Sequence, residues 1–136
     1  MDFKDALRSI IKPHNEDPLE RLTTPFGAAL SKDKVLTEHP RPQFERPSYI
    51  NLNGLWDYAI QPKKGFPDRY DGQILVPFSP EAILSGVERQ LQPGEYLWYR
   101  RRFTLPEGFN IGRVLLHFGA VDQSARVWVN GHDAVA

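Results

Sequence analysis

From residue 48 onward the chain is patterned in twos. Ile50, Leu52, Trp56, Tyr58 and Ile60 share one parity, and Asn51, Asn53, Asp57 and Gln61 share the other. A helix repeats every 3.6 residues, so a strict period of two suits a strand with one face covered and one face polar. Leu97, Tyr99, Phe103 and Leu105 form a second such run, with Trp98, Arg100, Arg102 and Thr104 pointing the other way. Val114, Leu116 and Phe118 form a third, and Ala125, Val127 and Val129 a fourth. Ile74-Leu75-Val76 reads as a short strand ended by Pro77, which has no amide hydrogen for a ladder. Asn53-Gly54 falls inside the first run and predicts a bulge or kink there. Short strands separated by Gly, Pro and Asp turns predict an all-β sandwich or barrel over residues 48–136.

Asn130-Gly131 follows the fourth run directly. Both residues tolerate positive φ, so the pair is a strong signal for a two-residue hairpin. A return strand runs about five or six residues, and the sequence offers His132-Asp133-Ala134-Val135-Ala136. The expectation is a hairpin barely answered, in a domain cut short, with an apolar strand close to an open sheet edge.

Ahead of the β region the pattern changes twice. Phe3, Leu7, Ile10 and Ile11 stand at helical spacing, predicting a short amphipathic helix over residues 1–12 that Pro13 ends. Six of the twelve prolines then fall between residues 13 and 47. Residues before proline are driven towards extended backbone, so this stretch predicts an arm without regular helix. The arm carries Leu19, Leu22, Phe26, Leu30, Val35 and Leu36, too many apolar side chains for a solvated linker. It is expected to lie on a surface.

Composition removes several classes of function. Seventeen basic residues balance seventeen acidic ones, without the basic excess that nucleic-acid binding uses to displace counterions. The one basic cluster is Arg100-Arg101-Arg102, and continued strand alternation would turn its middle member away, predicting no single patch. Without cysteine there is no disulfide, zinc ribbon or thiol nucleophile. No apolar run has the length of a spanning helix or a signal peptide, so neither a nucleic-acid nor a membrane partner is expected, and a cytoplasmic location is.

The residues that carry chemistry are scattered. Asp57, Asp68, Asp71, Glu81, Glu88, Glu95, Glu107, Asp122 and Asp133 include no pair singled out for acid/base work, and they read as solvated or turn-forming carboxylates. His14, His39, His117 and His132 lack metal-ligand spacing, and Ser85-Gly86 lies outside any nucleophile-elbow motif. No catalytic, cofactor-binding or metal-binding residue is therefore assigned. Trp56 shares the parity of Ile50 and Leu52 and reads as core. Trp98 and Trp128 oppose the apolar parity of their strands, which predicts either exposed platforms for a sugar or surfaces covered by the arm or a neighbouring domain.

Six blocks add a family resemblance. In order they are Pro40-Arg41-Pro42-Gln43, Asn51-Leu52-Asn53-Gly54-Leu55-Trp56-Asp57, Leu75-Val76-Pro77-Phe78, Leu97-Trp98-Tyr99-Arg100-Arg101-Arg102-Phe103, residues 114–122 (VLLHFGAVD) and Val127-Trp128-Val129-Asn130-Gly131. Together they resemble the N-terminal domain of family 2 glycoside hydrolases, the group of β-galactosidases and β-glucuronidases. The resemblance implies a galactose-binding-like jelly-roll sandwich, incomplete here, and a parent enzyme cleaving terminal β-glycosidic bonds. In that family the catalytic glutamates lie in a later barrel, so this chain is expected to be inactive alone. The partners it implies are carbohydrate and the remainder of the glycosidase chain. An autonomous carbohydrate-binding module and a fragment that complements the rest of the enzyme are the alternatives.

Overall fold

The computed structural model describes residues 24–37 and 48–134. The chain divides into two compact units, Met1–Leu30 and Ser31–Ala136. In the first, the described residues form one helical turn, α1 (Pro25–Ala28). This corrects the expectation of an arm without helix. Pro25 stands where its missing amide hydrogen costs nothing and its fixed φ suits the first turn. The Thr24 hydroxyl accepts from the Gly27 amide at 3.1 Å and caps the turn. The helix expected over residues 1–12 lies outside the described residues, as do prolines 13, 18, 40, 42 and 47.

The second unit is built on antiparallel strands. β1 (Gly54–Gln61) lies between β2 (Gly72–Val76) and β3 (Tyr96–Arg100). A separate hairpin pairs β4 (Val127–Val129) with β5 (His132–Ala134). Among the described residues the architecture is therefore all-β, with little helix.

Register follows the alternation. Asp57 pairs with Gln73 on one side and Arg100 on the other, while Ala59 pairs with Trp98 and Gln61 with Tyr96. Cross-strand partners share a face. One face of the sheet therefore presents Trp56, Tyr58, Ile60, Ile74, Leu97 and Tyr99, and the other presents Asp57, Ala59, Gln73, Trp98 and Arg100. Ile74 and Leu75 are both buried although they point to opposite faces, so β2 is covered on both sides. Trp56 is half-buried and meets Tyr99 edge to face, with ring centroids 6.4 Å apart. Its Nε1 donates to the Leu52 carbonyl at 2.8 Å.

The first strand begins later than its pattern suggests. The Asn53 amide donates to Asn51 Oδ1 at 2.7 Å, an Asx turn that competes with ladder pairing. Gly54 follows at φ 121°, a conformation that side-chain-bearing residues rarely adopt. The Asn51 and Asn53 side-chain amides then donate to the carbonyls of Val35, Leu36 and Thr37. Val35 is buried, so this part of the expected arm lies on its own unit.

Asn130 and Gly131 turn the β4–β5 hairpin with φ values of 52° and 81°, both positive as a two-residue turn of this type requires. The third apolar run departs from expectation. Residues 101–126 contain no strand, and Val114, Leu116 and Phe118 are exposed. A strand persists only where a neighbour completes its hydrogen bonds, and no described segment pairs with this one.

Candidate functional site

Two groups of side chains stand side by side on the polar face of the sheet. The first is aromatic. Trp98 on β3 and Trp128 on β4 stack with centroids 5.6 Å apart and planes inclined by 25°. Phe66, from the loop between β1 and β2, closes the cluster at 5.3 Å from Trp98 and 5.1 Å from Trp128. These offset and tilted arrangements suit the quadrupoles of the rings. The Arg126 guanidinium lies 5.3 Å from the Trp128 ring and also bonds Asp133, which pairs with Trp128 across the hairpin. Lys64 reaches over Tyr96 at 5.8 Å from the same loop that carries Phe66.

Burial on β4 does not follow one parity: Val127 and Trp128 are both half-buried, and Val129 is exposed. An indole removes more apolar surface from water than a valine does, and Trp98 with Phe66 provides the surface to meet it. Trp98 and Trp128 thus cover one another, while Phe66 against them stays exposed. Inside the cluster Trp98 Nε1 is buried and has no acceptor among the described residues.

The second group is charged. Arg100 donates from Nε and Nη2 to Asp57 Oδ2 at 3.0 and 2.7 Å. Its guanidinium also lies 3.9 Å from the Tyr70 ring centroid. Arg101 donates to the Leu55 carbonyl. Together Leu55, Asp57, Gln73, Arg100, Arg101 and Arg102 line a cavity of about 220 Å³ that is open to solvent. The three arginines were expected to diverge; they converge. β3 ends at Arg100, so the alternation that would send Arg101 to the opposite face stops where it would have acted.

Three of the remaining candidates make local structural bonds. Ser85, in the 3-10 turn Ile83–Ser85, is buried; it donates to the Pro80 carbonyl at 3.2 Å and accepts from the Val87 amide at 3.0 Å. Asp71 accepts from the Ile60 amide at 2.8 Å and secures the end of β1. Glu95 pairs with Arg89 at 2.5 Å and also accepts from the Gln92 amide. Tyr99 is raised above its usual pKa, chiefly by burial and secondarily by the charge of Glu81. Among the described residues, no three His, Asp or Glu side chains gather to hold a metal. No helix among them is long and apolar enough to cross a membrane.

Sequence reasoning singled out Trp98 and Trp128 but not their meeting. Phe66 and Tyr70 were missed altogether, and their one signal was aromatic character in a Gly/Pro-rich loop. No family model matches this chain, and no curated protein matches it.

Proposed function

We propose that this chain is a non-catalytic sugar-binding domain of the kind found at the N-terminus of family 2 glycoside hydrolases, with a galactose-binding-like jelly roll as its fold. The observation that carries the reading is the convergence of Trp98, Trp128 and Phe66 on one surface. Sugars present C–H patches that lie against aromatic faces and hydroxyls that need fixed polar partners. An aromatic cluster beside a row of Arg, Asp and Gln offers both. The order of the family-like blocks supports the same reading, since four of them overlap β1, β2, β3 and β4 with its turn. Catalysis is assigned to other parts of such an enzyme, because retaining hydrolysis needs two carboxylates about 5–5.5 Å apart and no such role is assigned to any carboxylate here.

The test is a titration of galactose, glucuronate and short β-glycans, followed by tryptophan fluorescence. Binding should quench or shift the emission and should be lost in Trp128→Ala. A flat response to every sugar up to millimolar concentration would remove the sugar-binding reading. Turnover of a nitrophenyl β-galactoside or β-glucuronide by the purified chain would remove the non-catalytic one.

A further inference from the structure

The Arg100-Arg101-Arg102 cavity is not needed for stacking a neutral sugar, and its charge points elsewhere. We propose that this cavity is an oxyanion-binding site, taking a carboxylate or phosphate group on a small ligand. Three arginines and a single carboxylate residue line it. Asp57 is already engaged by Arg100 through two hydrogen bonds to one oxygen. Arg100 is further held against Tyr70, and Arg101 against the Leu55 carbonyl, so two of the three cations are fixed in place before any ligand arrives. Arg102 is exposed and makes no hydrogen bond or ion pair among the described residues. The Gln73 side chain also has no partner among them, and the register sets it beside Asp57 on the same face.

Like charges crowded at a strand end repel one another, and an anion between them relieves that repulsion. Guanidinium groups suit the task because their forked donors match the planar oxygens of a carboxylate or phosphate. The site goes beyond the sugar-binding reading and does not depend on it. The two are nonetheless neighbours, since Trp98 and Arg100 are two residues apart on the same face of β3.

Calorimetric titration of the whole chain at low ionic strength with inorganic phosphate, glucuronate and neutral galactose tests the proposal. At least one charged probe should bind, and Arg102→Ala should weaken it about fivefold, the effect of one unit charge at about 4 Å in water. Arg102→Lys should keep most of the affinity, and Arg102→Glu, a change of two unit charges, should weaken it about thirtyfold. Raising salt to about 0.15 M, where charges are screened beyond about 8 Å, should weaken it further. Tighter binding of glucuronate than of phosphate would place the oxyanion on a sugar; the reverse order would place it on a phosphorylated or free anion. Failure of both charged probes, or wild-type affinity in Arg102→Glu, overturns the site. A galactose response that survives such a failure leaves the sugar-binding reading standing. A charged-probe response without galactose binding supports the site and weakens that reading. Unchanged tryptophan emission in each variant confirms that the aromatic cluster has kept its structure.

Discussion

Asp57→Asn should move stability and anion binding in opposite directions. One oxygen of the carboxylate accepts from Nε and Nη2 of Arg100 across the β1–β3 ladder, at 3.0 and 2.7 Å. The side chains of Arg100 and Asp57 are 41% and 32% exposed, so water screens much of their attraction. A pair this exposed contributes about 0.5–1 kcal/mol, well short of the 3–5 kcal/mol typical of breaking a buried one. Asparagine has nearly the same shape and keeps one oxygen to accept from Arg100, so the loss should stay within that range. The urea midpoint should therefore fall with little change in slope, because the surface exposed on unfolding is the same. In the cavity the effect is the reverse. Removing a negative charge about 5 Å from a bound oxyanion should strengthen its binding about fourfold. Urea melts followed by tryptophan fluorescence give the first quantity, and calorimetry with phosphate or glucuronate gives the second. Unchanged stability together with weaker anion binding would refute the reasoning. It would mean that Asp57 serves the site by orienting Arg100, and that its charge matters little.

Ser85→Ala should cost about 1–3 kcal/mol, because it strips the Val87 amide and the Pro80 carbonyl of a buried partner; a urea midpoint equal to wild type would contradict this. Tyr99 should ionise above its usual value of 10.0, visible as a late phase in absorbance at 295 nm that Tyr99→Phe removes. Its neutral form is the one the fold favours, so its contribution to stability is complete below pH 10 and is lost as pH rises through the raised folded value. Glu81→Gln should lower that value only partly, burial being the larger cause; a complete return to the ordinary value would reverse their order.

The parts of the fold that were legible are those where local chemistry and long-range pairing agree. In β1 the alternation from Trp56 to Gln61 matches the observed faces because strands on both sides hold it in register. Asn130-Gly131 needed no such help, since positive φ at two successive residues is a local preference. Val114, Leu116 and Phe118 have equally good alternation and no strand, because periodicity specifies which face is apolar without supplying a neighbour to pair with. Ile50 and Leu52 stand outside the strand for a different reason. The Asn51 side chain competes for the backbone, and Gly54 is the first residue to pair.

The candidate site depends on where alternation stops, which is a different question from where it runs. Periodicity set Trp98 and Trp128 opposite the apolar residues of their strands; what it lacked was the approach of two strands thirty residues apart, brought together over Phe66. For the arginines, the same rule extended one residue too far gave the wrong answer. With β3 ending at Arg100, the Arg101 guanidinium turns back to the Leu55 carbonyl and shares a cavity with its neighbours. Three like charges in sequence are tolerable on an alternating strand, where water separates them, and costly at a strand end, where they converge. An exposed cavity with one carboxylate already engaged offsets only part of that cost, and this is the charge imbalance on which the proposed oxyanion site rests.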